Sequence, residues 1–278
     1  MKILIHAHIY YPEMWEELRR NIIVIAQTTE CELYITLVKA CPEIAEAAKK
    51  LPCPAHIILV ENRGYDVGPF IHVLNQADLK QFTYVVKLHT KRDITTSPWY
   101  INGYDLGGSK WRTYLLRFCA TPENWQKSLQ TLAAADCGMV ADARLIMSNE
   151  TRQKYYARIS EWENILQTAH LKDKKYVAGT MFAAKAEVFY PLIGKLKMED
   201  FSPTSRAESV CLAHDFERIL GNLVGLAGLK IKSFDGQRVP FWHKPLFMLR
   251  RFIWYRKTTL DKVICKLFGV QIYKRRKV

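Results

Sequence analysis

The chain has 278 residues, of which 49% are hydrophobic and 24% charged, and its formal net charge is +14. The length allows one large domain or two small ones, and this composition does not fit a wholly disordered chain. Eleven Lys and Arg residues lie from residue 244 onward against the single acid Asp261, so the last 35 residues carry +10 of the +14. A basic tail indicates an attachment device rather than a uniformly basic, nucleic-acid-binding body.

The cysteines and the N-terminus indicate the cellular compartment of the protein. The seven cysteines are odd in number, scattered and without a C-x-x-C pair, which argues against a disulfide framework and a zinc site and favours a reducing compartment. The N-terminal MKILIHAHIYYPE is typical of a first strand rather than of a signal peptide. No uninterrupted apolar run of about 18 residues occurs, so the sequence predicts a cytosolic protein without a membrane span.

Strand-like and helix-like runs alternate through the first part of the chain. Strands are predicted at 2–10, 33–38, 56–60 and 83–88, and helices at 13–27, 42–50 and 69–77. This order predicts an α/β fold whose mostly parallel sheet carries helices on both faces. Further along we expect a strand at 137–142, a strand leading into a helix within 175–192, and a long helix within 204–228.

The segment 93–113 follows the fourth predicted strand. It holds four glycine or proline breakers and four aromatic residues. A loop of this length directly after a central strand predicts a functional lid or a binding loop.

Polar and glycine residues mark the ends of three predicted strands. They are His6 and His8 in the first, Asn62, Arg63, Gly64 and Asp66 after the third, and His89, Lys91 and Arg92 at the fourth. Because the carboxyl ends of parallel strands meet at one edge of a sheet, we expect these residues to form one ligand site. Gly64 and Gly68 would allow close approach of a nucleotide, and Asp66 could accept hydrogen bonds from its base or ribose. The alternative is a simple turn in which Asp66 caps the next helix.

Six segments in this order resemble one protein family. They read HAHIYYPEMW, ENRGYDVGPF, VVKLHTKRD, KWRTYLLR, VAGTMFAAKAE and LAHDFERILG. Together they resemble the rhamnan synthesis protein F family of bacterial polysaccharide glycosyltransferases, from about residue 3 to about residue 222. The resemblance implies a GT-A-like nucleotide-sugar fold, assigned here to residues 1–240, and Leloir-type sugar transfer onto a growing surface glycan.

The fourth strand departs from the pattern of most GT-A enzymes, which carry an Asp-x-Asp there to hold a divalent metal against the diphosphate. His89 and Lys91 take the places of the two aspartates. Cationic groups bind phosphate directly, so we infer that His89, Lys91 and Arg92 stabilise the departing diphosphate without a metal or other cofactor. Asp93 keeps a divalent metal possible, and the alternative for Lys91 and Arg92 is a solvated charge run.

An inverting transferase needs a carboxylate that takes the proton of the acceptor hydroxyl. Related folds place it at the start of a late helix, where Glu208 and Asp215 lie seven residues apart on one face. Glu208 is the preferred candidate, although it also fits a capping box with Ser205, and Asp215 has the alternative of ordinary surface charge.

Two further pairs are assigned to the sugar and the acceptor. The resemblance implies that Gly179 and Thr180 lie in a small-residue strand lining the donor sugar and the acceptor; the alternative is a buried strand with a close-packed glycine. Trp111 could stack on a sugar ring and Arg112 could pair with phosphate, whereas the alternative for Trp111 is a place in the core.

The composition changes at residue 241, where aromatic and basic residues begin to interleave. This pattern predicts that residues 241–278 form a helical tail lying in an anionic bilayer interface. The alternatives are a helix packed back on the body and an RNA-binding arm.

The sequence therefore predicts a cytoplasmic glycosyltransferase, peripheral on the inner face of the bacterial plasma membrane. It would move a hexose or deoxyhexose, such as rhamnose or galactose, from a nucleoside-diphosphate sugar to a polyprenyl-linked O-antigen or capsule-type acceptor. No nucleic-acid partner is expected. The alternatives are a non-catalytic nucleic-acid-binding protein and an inactive transferase-fold scaffold in polysaccharide assembly.

Overall fold

The computed structural model describes residues 1–96, 99–148, 159–169, 171, 175–204, 211–259 and 261–276. Its helices are α1 (Trp15–Ala26), α2 (Pro42–Ala48), α3 (Val67–Gln76), α4 (Lys110–Leu116), α5 (Pro122–Leu132), α6 (Ile159–Leu166), α7 (Leu212–Leu226) and α8 (His243–Ile253). Its strands are β1 (Lys2–Ile9), β2 (Glu30–Leu37), β3 (Ala55–Leu59), β4 (Tyr84–His89), β5 (Tyr100–Ile101), β6 (Tyr104–Asp105), β7 (Cys137–Ala141), β8 (Ile146–Ser148), β9 (Lys175–Val177), β10 (Phe182–Lys185), β11 (Lys230–Ser233), β12 (Trp254–Thr258), β13 (Lys262–Leu267) and β14 (Val270–Arg276). Within these ranges, no helix has the length and apolar character needed to cross a membrane.

Seven strands form the central sheet, in the order β11-β7-β10-β4-β1-β2-β3. β10 runs antiparallel to both of its neighbours, and the other pairings are parallel. The parallel direction of β1, β2, β3 and β4 follows from the sequence, because each of the first three strands is followed by a helix that returns the chain for another parallel strand. This topology confirms the predicted α/β class with a mostly parallel sheet.

Helices cover both faces of this sheet, as predicted. α1 and α5 contact each other on one face, and α3 and α7 contact each other on the opposite face. α1 buries Trp15, Leu18, Ile22 and Ile25, a spacing of three or four residues that gives one apolar stripe. On the other face Phe70 of α3 packs edge-on against Phe182 of β10. The site described below lies at an edge of this well-packed sheet.

The segment 175–192 differs from its prediction. Instead of one strand, β9 and β10 are separated by a turn in which Gly179 and Thr180 have φ values of +83° and +53°. Two consecutive residues with positive φ cannot belong to a strand, so the predicted small-residue strand at this point is wrong. The chain then continues into a 3-10 helix at Ala186–Leu192 that contains Pro191.

The C-terminal tail is helical only in its first part. After α8, strands β12, β13 and β14 form an antiparallel sheet, here called the C-terminal sheet. The last two strands are joined through Phe268 and Gly269, with φ values of +46° and +80°. Two consecutive left-handed residues make a tight hairpin turn, which is incompatible with a helix through these residues. The prediction of a helical tail is therefore wrong for residues 254–259 and 261–276.

The predicted loop at 93–113 contains the short hairpin of β5 and β6, and this hairpin contacts α8. The ring of His243 stacks on Tyr104 with centroids 3.9 Å apart, and Phe247 lies 4.9 Å from Tyr100. None of the α8 residues is buried by these contacts. The helix therefore lies on the surface of the body, with most of its side chains accessible.

Candidate functional site

The predicted site residues converge on one edge of the central sheet. The parallel strands β1, β3 and β4 end at this edge, and the antiparallel β10 begins there. The strand pairing places His8 directly beside both Thr36 and His89. The common edge inferred from the order of the strands is therefore present in the structure.

A buried ammonium group joins three of the converging segments. Lys87 of β4 is fully buried, and its Nζ donates to Oδ2 of Asp66. It also donates to the main-chain oxygen of Thr180 at 3.2 Å and to Oγ1 at 3.0 Å. The hydroxyl of Thr180 lies 2.6 Å from Oδ2 of Asp66. We call Lys87, Asp66 and Thr180 the Lys87 cluster; it links the strand, the glycine turn after β3 and the turn before β10.

The opposite charges of Lys87 and Asp66 compensate each other within the Lys87 cluster. Burial lowers the pKa of Lys87 from its ordinary value, and the attraction of Asp66 offsets this only in part. Burial alone would raise the pKa of Asp66, but the charge of Lys87 and the hydrogen bonds from Lys87 and Thr180 hold that pKa well below its usual range. His89 is itself kept neutral, so the Lys87 ammonium is the charge that balances Asp66 at neutral pH. Asp66 remains 21% exposed and is the accessible member of the cluster.

Three neutral histidines surround the cluster. Burial lowers the pKa of His6 and of His89 well below the ordinary value and that of His8 to about 4. His6 Nε2 and His8 Nδ1 each lie 3.0 Å from the hydroxyl of Thr36. His89 Nδ1 lies 3.5 Å from Oδ2 of Asp66. At neutral pH His89 can therefore offer a hydrogen bond to a ligand but not the positive charge that the sequence suggested.

The two turn glycines are explained by packing within the protein. A Cβ on Gly64, whose φ is +64°, would lie 2.6 Å from Cγ of Phe201. A Cβ on Gly68 would lie 2.2 Å from the main-chain oxygen of Arg63. The Arg63 side chain binds the main-chain oxygen of Phe201 at 3.2 Å, and the oxygen of Asn62 accepts from the nitrogen of Thr204 at 2.8 Å. These contacts hold the turn against the segment 201–204.

Asp66 does not have the structural role that was its alternative. It occupies the position before α3, but its side chain makes no capping hydrogen bond to that helix. The carboxylate points instead to Lys87 and Thr180. The alternative in which Asp66 serves only as a helix cap is therefore wrong.

Of the predicted cations, Lys91 is the one positioned to receive an anion. Its ammonium lies 4.2 Å above the ring of Trp111, and the described residues bring no carboxylate into salt-bridge contact with it. A lysine held over an aromatic ring keeps its donors available on the side away from the ring. Trp111 is partly buried, so its ring orients Lys91 while leaving part of the indole accessible.

The two arginines near Lys91 are engaged by carboxylates. Arg112 is 11% exposed and pairs with both Glu17 and Asp93, and its Nη1 also donates to the oxygen of Lys91 at 3.1 Å. Arg92 is 63% exposed, and its Nε lies 2.9 Å from the carboxylate of Glu13. Arg112 therefore holds the chain that carries Lys91, while Arg92 lies on an exposed surface.

The turn before β10 is held by an acid that the sequence analysis did not select. The main-chain nitrogen of Gly179 donates to Oε1 of Glu217 at 2.7 Å. A Cβ at Gly179 would lie 2.6 Å from Leu115 and 3.2 Å from Nε1 of Trp111, which explains the glycine. The negative charge of Glu217 also attracts Lys87, and this attraction partly offsets the lowering of the lysine's pKa by burial. Glu217 was passed over because a charged residue on an amphipathic helix is most often solvated.

The structure describes only one of the two candidates for a catalytic base. Glu208 lies outside the described residues. Asp215 lies in the first turn of α7 and is only 9% exposed, so it is not ordinary surface charge. The neighbouring His214 contacts the ring of Tyr65 with centroids 5.4 Å apart. The start of α7 therefore lies beside the glycine turn, within the same site.

This arrangement has the groups that a polar, anionic ligand needs. Asp66 offers an accessible carboxylate, Lys91 a cation on an aromatic ring, and Trp111 an apolar surface. Lys87 and Glu217 were missed as site residues because their partners come from distant parts of the chain. The one available signal was the two-residue period that places Lys87 on the same face as His89.

Comparisons with known proteins indicate the family of the chain. The model of the family described as rhamnan synthesis protein F matches residues 1–228. A protein named uncharacterized protein WxcX from Xanthomonas campestris pv. campestris is 23% identical over 237 residues, in each of two strains. That match covers 82% of this chain and 32% of the relative, so the chain spans about a third of the length of the curated relatives it matches.

A solved structure with a similar course of the chain is that of S. aureus TarS residues 1–349. The TM-score is 0.43 at 11% sequence identity, and the match covers 86% of this chain and 59% of the TarS chain.

Proposed function

The chain belongs to the rhamnan synthesis protein F family, and from this premise we propose that it is a Leloir-type glycosyltransferase of bacterial polysaccharide synthesis. It transfers a hexose or deoxyhexose, such as rhamnose or galactose, from a nucleoside-diphosphate sugar to a lipid-linked O-antigen or capsule-type glycan. The observation that carries the proposal is the meeting of Asp66, Lys87 and Lys91 at one sheet edge in a chain of this family.

In this proposal the nucleoside lies against the glycine turn. Asp66 accepts hydrogen bonds from the ribose or the base, because its carboxylate is partly exposed while its charge is balanced by Lys87. His8, Asn62, Arg63, Gly64 and Gly68 shape the turn and its surroundings. The role of the two glycines is to build the turn, since the protein's own packing occupies the space beside them.

Lys91 binds the diphosphate of the donor. As the acceptor hydroxyl oxygen attacks the anomeric carbon, the bond from that carbon to the β-phosphate oxygen breaks, and its electron pair remains on the leaving diphosphate. The ammonium of Lys91 stabilises this charge directly, and His89 adds a neutral hydrogen bond. Arg92 supports the site only by long-range charge, since its guanidinium is bound to Glu13.

The proton of the acceptor hydroxyl passes to a carboxylate. We assign this role to Glu208, with Asp215 as the alternative. Trp111 offers a stacking surface for a sugar ring, and the turn of Gly179 and Thr180 lines the place of the sugar. Arg112 is assigned a positioning role, because its guanidinium pairs with Glu17 and Asp93.

The proposed cellular location is inferred from the C-terminal tail. The basic and aromatic residues 241–278 would hold the protein on the inner face of the plasma membrane, where a polyprenyl-linked acceptor is available. At that surface the donor comes from the cytoplasm and the acceptor from the bilayer.

The test is calorimetric titration of the full chain with UDP, dTDP, GDP and CDP, each with and without manganese. Tight binding of one nucleotide without metal supports both the transferase and the direct role of Lys91. Binding that needs manganese keeps the transferase and contradicts the metal-free mechanism. No nucleotide binding together with tight, salt-sensitive RNA binding would replace the proposal with a nucleic-acid-binding protein.

A second measurement separates an enzyme from an inactive scaffold. The full chain is incubated with the nucleotide sugar it binds and with bacterial membranes as the source of acceptor, and released nucleoside diphosphate is measured. An enzyme loses this turnover in the Lys91→Ala variant while its melting temperature is retained. A scaffold releases no nucleoside diphosphate in either form.

A further inference from the structure

One face of the C-terminal sheet is open and forms a depression of about 610 Å³. Its lining residues combine guanidinium groups, aromatic rings and small apolar side chains: Trp254, Arg256, Val263, Cys265, Tyr273, Arg275 and Arg276. Such a surface can bind an anionic group and hold apolar material beside it.

The strand pairing explains why these residues share a face. Arg256 of β12 pairs with Cys265 of β13, which in turn pairs with Tyr273 of β14. One step along, Val263 pairs with Arg275. Side chains alternate between the faces of a sheet, so the arginines of the outer strands flank an apolar central strand on the open face.

The opposite face also carries cations, but α8 covers part of it. Lys257 and Lys274 belong to it, through their pairings with Ile264 on the central strand. α8 packs from this side, with the guanidinium of Arg251 4.9 Å from the ring of Tyr255. The two faces therefore differ in accessibility, and Lys257 and Lys274 are the counterparts of Arg256 and Arg275 on the covered face.

The arginines of the open face have unused binding capacity. Among the described residues, no carboxylate forms an ion pair with Arg256, Arg275 or Arg276, and the one acid of this segment, Asp261, lies with Lys262 and Thr259. The guanidinium groups of Arg256 and Arg275 on one accessible face repel one another and favour an anionic partner.

We propose that the open face of the C-terminal sheet docks on the phosphate headgroups of anionic lipids at a bilayer surface. This inference deepens the membrane location given under the proposed function and rests on it. Arg256 and Arg275 bind the lipid phosphates, and Trp254 and Tyr273 lie at the depth of the headgroups, where amphipathic rings are favoured.

A lipid surface fits better than a nucleic acid because of the apolar residues around the depression. Val270 and Ile272 of β14 are 67% and 54% exposed, and Phe268 at the hairpin turn is 58% exposed. Aliphatic side chains gain nothing from stacking on bases, but they gain from insertion between lipid headgroups.

The experiment compares two double variants of the full chain that remove the same charge from opposite faces. Arg256→Ala/Arg275→Ala alters the open face, and Lys257→Ala/Lys274→Ala is the matched control. Binding is measured by sedimentation with vesicles of phosphatidylglycerol and phosphatidylcholine, and with vesicles of phosphatidylcholine alone. Melting temperatures establish that both variants remain folded.

We expect the open-face variant to lose about thirtyfold in affinity for the anionic vesicles, from about 1 kcal/mol for each basic residue at the surface. The control variant loses less than about threefold, since its lysines point away from the bilayer. Equal losses in both variants would overturn the inference in favour of diffuse charge attraction. The absence of wild-type binding, saturable binding of inorganic pyrophosphate instead of vesicles, or binding to single-stranded RNA instead of vesicles would also overturn it.

Failure of this inference is distinguishable from failure of the proposed function. Nucleotide binding of both variants is measured by calorimetry alongside the vesicle experiment. If vesicle binding fails while nucleotide binding is retained, only the docking surface is wrong. If the wild-type protein binds vesicles but no nucleotide, the docking surface stands and the transferase does not.

Discussion

Lys87 and Asp66 form an ion pair across 21 residues of sequence, in which the lysine side chain is fully buried and the aspartate is 21% exposed. The pair connects the interior of the central sheet with the accessible glycine turn. The turn can therefore present a carboxylate to a ligand without leaving a buried charge unbalanced.

Removal of the buried ammonium should be strongly destabilising. Lys87→Met leaves Asp66 without its main counter-charge, and we expect a loss of about 3–5 kcal/mol in the free energy of unfolding measured with urea. Adding Asp66→Asn should recover part of that loss, because the uncompensated charge is removed as well. Lys110→Ala, which breaks an exposed pair with Asp105, should cost less than about 1 kcal/mol. A Lys87→Met protein as stable as Lys110→Ala would contradict the role of the pair.

The glycine turn offers a test of close packing. Gly64 and Gly194 both have positive φ, at +64° and +73°, but a Cβ on Gly64 would collide with Phe201 while Gly194 has open space around it. Gly194→Ala should cost about 1 kcal/mol from backbone strain alone. Gly64→Ala should cost about 1–3 kcal/mol more, from the collision. Equal losses in urea unfolding would show that Phe201 yields to the new methyl group.

The sequence predicted the common edge of the sheet but not the contacts within it. The alternation of strands and helices implies parallel strands. The proximity of His8, the glycine turn and His89 could therefore be predicted from the sequence. Lys87 was not recognised, because its partner Thr180 comes from the turn before β10, and no local pattern shows that this strand inserts beside β4 in the opposite direction. Lys91 is available to a ligand because the nearby acids Glu17 and Asp93 pair with Arg112 instead. The sequence does not show this choice of partner either.

The neutral histidines should make the protein sensitive to acid. In the unfolded chain a histidine binds a proton near pH 6.5, whereas His8 in the folded state does so only near pH 4, and His6 and His89 are shifted in the same direction. Between these pH values the unfolded state binds more protons, so stability falls as pH falls through this window. From pH 7.5 to 5.5 each histidine should contribute a loss of about 1.3 kcal/mol in the free energy of unfolding.

Urea unfolding at the two pH values measures this loss, and His8→Gln should reduce its size by about one third. The control is His56→Gln, which replaces a half-exposed ring outside the buried cluster. A wild-type protein equally stable at both pH values would mean that the three rings take up protons in the folded state.

Glu217 should act by positioning the turn before β10. Its carboxylate accepts from the nitrogen of Gly179, and replacement by Ala leaves that donor without this partner. We expect Glu217→Ala to lose about 2 kcal/mol in stability and to weaken nucleotide binding through the displaced Thr180, while Glu217→Gln retains an acceptor and most of both properties. Glu187→Ala on the exposed surface should change neither. If Glu217→Gln lost turnover completely while keeping its stability and nucleotide affinity, a direct role as the proton acceptor would replace the positioning role.

The central claim is that Lys91, held over Trp111 and free of carboxylate partners among the described residues, binds the diphosphate of the donor. The most direct measurement is calorimetric affinity for the preferred nucleoside diphosphate in Lys91→Ala and in the adjacent Arg92→Ala, which removes the same charge from a side chain bound to Glu13. A lost charge-assisted hydrogen bond predicts a weakening of about ten- to a hundredfold for Lys91→Ala and less than about threefold for Arg92→Ala. Equal losses in the two variants, or a greater loss in Arg92→Ala, would contradict the assignment of Lys91.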